Sequence, residues 1–281
     1  MGLRINTNVA SVNAQRSLRL TRQAIEKNLE RLSSGSRINR AGDDAAGLAI
    51  SEGFKAQIRG MKQAERNSQD GISLVQVAEG GLTEISSICL RLRELAVQAA
   101  SDTIGANERK FLNLEYDALL SEVDRISNST EFNRVSLLNG SGGQIDVQVG
   151  TGNNPSIDRI TFDASSTNVG TTALGLNLTN VLDKNSAQGA LNFIDKAIQG
   201  VSAIRADFGA IQNRLQSTVN NDAISIENIS AANSRIRDAD IAEESAEFTK
   251  QNILSQAGTA VLSQANNSGA GALQLLQSMS R

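Results

Sequence analysis

Carboxylates are the residues of this chain that come closest to a chemical motif. Asp238, Asp240, Glu243, Glu244 and Glu247 lie within one short stretch, and several carboxylate oxygens together are what a hard divalent cation requires. The same residues suit the start of a helix, because acidic side chains interact favourably with the positive end of the helix dipole. We favour the helix start and keep the metal site as the alternative.

A second acidic group, the pair Asp43-Asp44, could be interpreted as two catalytic carboxylates. It directly precedes the run from Ala45 to Ile50, and Asp is well suited to cap a helix. The chain has no His, the side chain best suited to proton transfer near neutral pH and the commonest metal ligand. It also lacks a phosphate-binding Gly-Lys-Ser/Thr run. We therefore expect one of the two to cap a helix, and we predict no enzymatic activity, no metal and no cofactor.

Composition limits the class of partner. A net charge of -3 and a pI near 5.2 argue against binding to nucleic acid or to an anionic membrane, since both favour a basic surface. The single cysteine, Cys89, cannot form an internal disulfide. No run is apolar and long enough for a bilayer span or an ordinary secretory signal. These rules alone predict a cytoplasmic protein whose partners are proteins.

The region between Ile72 and Ala99 carries a coiled-coil pattern. Apolar residues recur in two interleaved series with a spacing of seven: Val75, Leu82, Cys89 and Ala96, and Ala78, Ile85, Leu92 and Ala99. Leu74, Ile88 and Leu95 widen this stripe, which indicates a helix that packs against more than one neighbour. Cys89 is accordingly predicted to be a small packing residue.

Two further helical patterns follow. After a break at residues 103–107, apolar residues at Leu112, Tyr116, Leu119, Val123 and Ile126 predict a helix that returns antiparallel. The longest pattern runs from Ala187 to Ile236 and is interrupted mainly at Arg205, Gln212 and Asp222. At about 1.5 Å per residue such a helix is roughly 75 Å long, which favours a rod.

Between the second and third patterns the period changes from that of a helix to that of a strand. Ile145, Val147 and Val149 alternate with polar residues before Gly150–Pro155, and Ile157, Ile160 and Phe162 follow. This pattern predicts a β-hairpin, followed by a loop at residues 165–172. The predicted fold class is mainly α: a long antiparallel helical coiled-coil bundle with a small β-hairpin insert.

Both ends of the chain carry apolar helical patterns. We predict that these terminal helices pair as a coiled coil and associate with other copies, because apart from each other they have no obvious partner within the chain. The N-terminal pattern ends at Ser33-Ser34-Gly35, a good helix stop. The residues that we predict for this self-association are Ile5, Val9, Val12, Leu18, Ile25, Leu29, Leu32, Phe248, Ile253, Leu254, Val261, Leu273 and Leu276.

Several segments resemble bacterial flagellins. Near the N-terminus these are residues 31–39 (RLSSGSRIN), 43–50 (DDAAGLAI) and 66–73 (RNSQDGIS); near the C-terminus they are residues 234–244 (SRIRDADIAEE) and 273–276 (LQLL). The resemblance covers roughly residues 1–135 and 185–281. It implies a subunit that self-assembles into the flagellar filament for motility.

The resemblance also implies a domain organisation. Residues 1–42 and 236–281 are expected to form the inner filament core, residues 43–130 and 185–235 the rod-like core domain, and residues 131–184 a short insert in place of large outer domains. Family members leave the cell through the flagellar type III export channel. A secreted protein of the filament, extracellular or within a sheath or periplasm, therefore replaces the cytoplasmic prediction. The expected partners are other flagellin subunits, an export chaperone, the filament cap and hook-associated proteins.

One segment is similar to the flagellin site read by the vertebrate toll-like receptor for flagellin. By this resemblance Arg91, Leu95 and Glu115 are candidate contacts. From the residues alone, Leu95 belongs to the widened apolar stripe and Arg91 to a solvated face.

Two other classes of protein share parts of this pattern. A hook–filament junction protein has similar terminal helices but occurs in few copies. An intracellular coiled-coil signalling rod also shows heptads, but its termini need not be apolar.

Overall fold

The computed structural model of the chain describes residues 7–279, and the side chains of residues 7–267. The helices of this part are α1 (Val9–Ser34), α2 (Ala45–Ala99), α3 (Ala106–Ser129), the single turn α4 (Pro155–Asp158), α5 (Lys184–Arg237) and α6 (Ile241–Met279). The strands are β1 (Glu131–Phe132), β2 (Val135–Ser136), β3 (Gln144–Gln148) and β4 (Arg159–Asp163). The predicted mainly α class with a small β insert is confirmed.

The contacts divide the chain into two units. The terminal unit comprises residues up to Ala56 and from Ile229 onward, and the central unit comprises Gln57–Asn228. The predicted boundaries at residues 42, 130, 184 and 235 concern domains of an assembled filament, and they stay predictions.

The central unit is built on the predicted coiled-coil seam of α2. All eight residues of the two seven-residue series are at most 1% exposed. They pack in one core with Tyr116 and Val123 of α3 and with Ile194, Val201 and Phe208 of α5. Helix α3 runs antiparallel to α2, as the short connection between them predicts, and the ion pairs Arg93–Asp195 and Glu79–Arg205 show that α5 is antiparallel to α2 as well. The prediction of a bundle is confirmed.

The cysteine of this seam is fully buried. Burial raises the pKa of the Cys89 thiol to about 11, so the thiol stays protonated at neutral pH and is a poor nucleophile. Its predicted packing role is confirmed.

Two leucines of α2 separate the contribution of the core from that of the surface. Leu92 is 0% exposed whereas Leu90, two positions earlier, is 53% exposed. We expect Leu92→Ala to lower the free energy of unfolding by about 2–5 kcal/mol, because the lost burial adds to the cost of a cavity. Leu90→Ala should change it by less than about 0.5 kcal/mol. Urea unfolding of the two variants measures both values, and equal losses would contradict the assignment of Leu92 to the core.

The predicted β-hairpin is present. Strands β3 and β4 pair antiparallel, with Ile145 opposite Phe162 and Val147 opposite Ile160. Val149, Ile160 and Phe162 are buried, and the Phe162 ring lies 5.1 Å from that of Phe208. The hairpin thus covers α5 with its apolar face.

One residue of the predicted hairpin was assigned to the wrong element. Ile157 lies in the helical turn α4, not in a strand, and its side chain is exposed. The reason is local: the Asn154 side chain accepts a hydrogen bond from the Ser156 amide at 3.1 Å, and Pro155 occupies the first position of the turn. A capping Asn followed by Pro is a strong helix start.

A second, smaller hairpin was not predicted. Strands β1 and β2 pair through Glu131–Ser136 and Phe132–Val135. Asn133 and Arg134 form its turn with φ values of 49° and 65°, as a two-residue hairpin turn requires. The loop predicted at residues 165–172, which comes after β4, is confirmed, and its Val169 is buried.

Candidate self-assembly surface

The helices α1 and α6 pair antiparallel in the terminal unit. At one end of the pair the Asn8 side-chain amide donates to the Ala265 carbonyl at 2.7 Å, and the Ser11 hydroxyl donates to Asn266 Oδ1 at 2.8 Å. At the other end the Arg31 guanidinium lies 2.7 Å from Glu244 Oε1. The predicted pairing of the terminal helices is confirmed for the described residues.

Close packing in the middle of the pair depends on a glycine. A Cβ atom at Gly258 would lie 2.8 Å from Leu18 Cδ2, so the absence of a side chain lets the two helices approach. Leu18 is buried as a result, and it is the residue of the predicted set that the pair itself encloses.

The pair leaves much of its apolar surface exposed. Ile25, Leu32 and Phe248 are partly covered. The remaining described members of the predicted set are 47–60% exposed: Val9, Val12, Leu29, Ile253, Leu254 and Val261. Ile5 lies outside the described residues, and the side chains of Leu273 and Leu276 are also outside the described part.

Three exposed apolar residues of the same unit were missed. Leu20 of α1, Ile50 of α2 and Ile241 at the start of α6 are each at least half exposed. Leu20 lies two positions after Leu18, off the helical stripe on which the sequence prediction was based. An exposed apolar residue on the polar side of a helix has no periodic signal.

The turn after α1 connects the two ends of the terminal unit through the backbone. Gly35 ends α1 with φ of 67°, a value that favours glycine, and its carbonyl accepts from the Ala239 amide at 3.0 Å. The Arg37 amide donates to the Arg237 carbonyl at 2.6 Å, and Ser36 forms a bridge with Asp238. The predicted helix stop at Gly35 is confirmed.

The acidic pair has the structural role favoured above. Asp44 precedes α2, and its Oδ1 accepts from the Gly47 amide at 2.9 Å. Asp43 Oδ1 lies 2.7 Å from Lys27 Nζ. The hydrogen bond from Lys27, with those from the amides of Arg40 and Asn39, lowers the pKa of Asp43 to about 2. Its contribution to stability is therefore present above the ordinary pKa and is lost only as the pH falls towards 2.

The acidic stretch near the C-terminus also begins a helix. Asp240 Oδ1 accepts from the amides of Ala242 and Glu243 at 2.8 and 3.3 Å, which caps α6. Glu244 binds Arg31, and Glu247 accepts from Lys250 and Gln251. The carboxylates thus have separate partners, and no three His, Cys, Asp or Glu side chains within the described residues are gathered as a metal ion requires.

The candidate receptor residues lie on α2 and α3 of the central unit. Arg91 and Glu115 are exposed and form an ion pair with a distance of 2.8 Å between Nη2 and Oε1. The hydrogen bonds that the Arg91 guanidinium donates to the carboxylates of Glu94 and Glu115 raise the pKa of Arg91. Leu95 is fully buried in the seam, as its place in the apolar stripe implies.

Within residues 7–279, no helix has the length and apolar character needed to cross a lipid bilayer.

Comparison with known proteins gives matches along nearly the whole chain. Residues 5–142 match the family model of the bacterial flagellin N-terminal helical region, and residues 191–276 match that of the C-terminal helical region. The chain is 45% identical to a flagellin of Halalkalibacterium halodurans over 97% of its own length and 99% of that protein. It is 46% identical to a flagellin of Bacillus subtilis over 98% and 100% of the two chains. It is 41% identical to a flagellar filament 33 kDa core protein of Treponema phagedenis, over 97% and 99%.

Solved structures agree with this result. The crystal structure of a Bacillus cereus flagellin covers 56% of this chain and 88% of its own, with 36% identity and a TM-score of 0.50. A structure assigned to a flagellar hook-associated protein of Vibrio parahaemolyticus covers 70% and 100%, with a TM-score of 0.57 at 14% identity. At that identity the second likeness concerns the fold alone.

A heptad-packed helical bundle with paired, apolar terminal helices defines a structural protein built to polymerise. The matches to both helical regions and to relatives of nearly equal length specify which one. The chain belongs to the bacterial flagellin family and is a structural subunit of the flagellar filament.

Proposed function

We propose that copies of this subunit join through the faces of α1 and α6 that their pairing leaves uncovered. The observation that carries this proposal is the six apolar side chains of the predicted set that are 47–60% exposed on these two helices. Contiguous exposed apolar surface on a soluble protein marks an interaction site. Burying these side chains against further copies would remove them from water, which is the main driving force of association.

The same terminal helices restrain polymerisation away from a growing filament end. In this proposal the terminal helices of a lone subunit gain order only when they dock, so the cost of ordering them is met when several copies bury their apolar faces together. Polymerisation then depends on a growing end rather than on the meeting of two free subunits. The role is structural, and we assign no enzymatic activity to the chain.

The proposal places the protein outside the cytoplasm. As a filament subunit it would be secreted through the flagellar type III export channel. It would then reside in an extracellular filament, or in one enclosed by a sheath or periplasm. Its partners in this proposal are other flagellin subunits, an export chaperone, the filament cap and hook-associated proteins.

Assembly of the purified chain tests the proposal. Monomer at a concentration below that of spontaneous assembly is mixed with short filament fragments, and the products are imaged by electron microscopy. We expect extended filaments whose mass per length stays constant. A hook–filament junction protein would add a short terminal layer only, and a coiled-coil signalling rod would remain monodisperse.

We further propose that the exposed Arg91–Glu115 pair is the part of the chain that the vertebrate receptor for flagellin would contact. Both side chains are about half exposed and fixed to each other across two helices. Leu95 has no exposed surface, so its part would be to hold α2 in place beneath the pair.

A matched pair of arginines tests this recognition. Arg91 and Arg93 are on the same helix with nearly equal exposure, 48% and 49%, and each forms an ion pair with a neighbouring helix. We expect Arg91→Ala monomer to lose about tenfold in receptor activation, the loss typical of an interface arginine. Arg93→Ala should retain activity, and both should keep their melting temperature because exposed ion pairs contribute little. Equal activity of the two variants would contradict the proposal.

A further inference from the structure

One residue breaks the apolar series of α5 within the central unit. Core positions of α5 recur every seven residues. Four successive ones, Ile194, Val201, Phe208 and Leu215, are each at most 1% exposed. The next position in the series is Asp222, which is only 8% exposed. A carboxylic acid thus occupies a core position of the helix, where the pattern calls for an aliphatic side chain.

The buried carboxyl has no partner to offset its charge. Asp222 Oδ2 is enclosed and makes no hydrogen bond with any described residue. Burial, and secondarily the negative charge of Glu65 on α2, raise the pKa of Asp222 above its ordinary value. An unpaired charge in such a place is costly, whereas the neutral acid is tolerated much better.

A cleft connects this carboxyl with solvent. It has a volume of about 660 Å³. Met61 of α2, Ser217 and Asn221 of α5 and Thr151 of the hairpin turn are among its lining residues, together with Asp222. Water can therefore reach the acid and exchange a proton with it, without the helices having to separate.

The other charged groups of the cleft do not neutralise Asp222. The Asp158 carboxylate accepts from the Gly152 and Asn154 amides at 3.2 and 2.8 Å. The Arg159 guanidinium donates to Gln148 Oε1 and Asn153 Oδ1. Arg214 lines the cleft but is exposed, and it forms no ion pair within the described residues.

We propose that Asp222 is a proton-operated weak point in the packing of α5 against α2. With the proton bound, the acid is a neutral side chain in an apolar series, and the helices pack at this level as they do at Leu215. With the proton released, an unpaired carboxylate faces Glu65, and the packing around Met61 loosens. Ionisation of Asp222 thus makes the stability of the central unit depend on pH, and no residue of the assembly surface takes part.

The direction of the effect follows from proton linkage. Because the folded chain holds this proton more tightly than the unfolded chain, Asp222 costs nothing at a pH below its unfolded pKa. The cost grows as the pH rises from the unfolded to the folded pKa and is constant above it. Stability attributable to this residue is therefore greatest in acid.

Variants of Asp222 test the proposal in the full-length chain, kept monomeric by dilution. Unfolding of the wild type, Asp222→Leu and Asp222→Asn is measured by urea denaturation between about pH 4 and pH 8. The control is Asp207→Asn, which removes an exposed carboxylate from the same helix. Comparison with the wild type cancels the titration of all other groups.

We expect the ratio of the unfolding equilibrium constant of the wild type to that of Asp222→Asn to grow several-fold as the pH rises across this range, because only the wild type has a carboxyl that ionises at this position. Asp207→Asn should show no such trend. Glu65→Gln should reduce the trend. Amide hydrogen exchange of residues 61–68 should accelerate with pH in the wild type more than in Asp222→Asn, beyond the intrinsic rise.

Three results would overturn the proposal. One is a constant ratio between the wild type and Asp222→Asn at every pH. Another is an equal trend in Asp207→Asn. The third is a trend that disappears when magnesium or calcium chloride is added, because that would identify a cation, and not a proton, as the partner of the carboxyl. If Asp222→Leu does not fold, the Asn variant, which is nearly isosteric, carries the same comparison.

Discussion

Removal of residues 1–30 should abolish filament growth while leaving the central unit folded. The deletion takes away Val9, Val12 and Leu18 and nearly all of α1, so α6 loses its partner and the predicted assembly surface loses one of its two helices. The central unit, Gln57–Asn228, contains none of the deleted residues, and its seam residues are buried against α3 and α5 of the same unit. Seeded assembly followed by electron microscopy measures the loss of growth.

The control for this deletion is the stability of the central unit. We expect its cooperative unfolding transition to shift by only a few degrees, on the order of the effect of about 1 kcal/mol in a domain of this size. Loss of the transition would mean that the truncated chain fails to fold, and the residues 57–228 expressed alone would then be compared. Filaments of normal length from a folded truncated chain would refute the proposed role of α1.

Two charges placed on the exposed face of α6 should have the next largest effect. Ile253 and Val261 are each 60% exposed and lie eight residues apart, so they share one face of the helix. In Ile253→Asp/Val261→Asp, the burial of the remaining 60% of both side chains on assembly is lost, at about 1–2 kcal/mol each, and two carboxylates must be desolvated. Since about 1.4 kcal/mol corresponds to tenfold, the critical concentration for elongation should rise at least about 100-fold.

A matched double variant separates polarity from shape. Ile253→Leu/Val261→Leu keeps both positions apolar at similar volume, and it should elongate within a few-fold of the wild type. Because both positions lie outside the central unit, Gln57–Asn228, both double variants should retain the helical content of the monomer by circular dichroism. Growth of the Asp variant at the wild-type concentration would contradict the assignment of this face to the assembly surface.

The long helices could be predicted from the sequence because their packing repeats. Apolar residues of α2 recur at a spacing of seven, and a spacing sustained over four successive positions in each of two series leaves little freedom in the phase of the helix. The helix ends were equally predictable where a glycine with positive φ or a capping side chain marks them, as Gly35 and Asp44 do. The interaction is local in each case, so neighbouring residues suffice to determine it.

The short elements were less predictable because they depend on competing local signals. At Ile157 the alternation of a strand overlaps with a helix start at Asn154-Pro155, and the capping hydrogen bond decides the outcome. The hairpin of β1 and β2 has two residues per strand, too few for an alternating pattern to be recognised.

The assembly surface could be predicted only in part. A helical pattern shows which residues share a stripe, but it does not show which of them an internal partner covers. Leu18 is covered because Gly258 permits close approach, a contact between residues 240 positions apart. Asp222 shows the same limit, since the sequence marks it only as an interruption, whereas its surroundings include Met61 of α2 and residues of the hairpin that are distant in the sequence.

The tip of the larger hairpin is a site where the chain could accept an insertion. Residues 151–157 all lie exposed between two paired strands, and the entropy of closing a flexible loop rises by only about 0.6 kcal/mol for each doubling of its length. Foreign peptides or whole folded modules could therefore be grafted at this tip at modest thermodynamic expense. A subunit of this size is then a small carrier for repetitive display, with one graft per copy along the polymer.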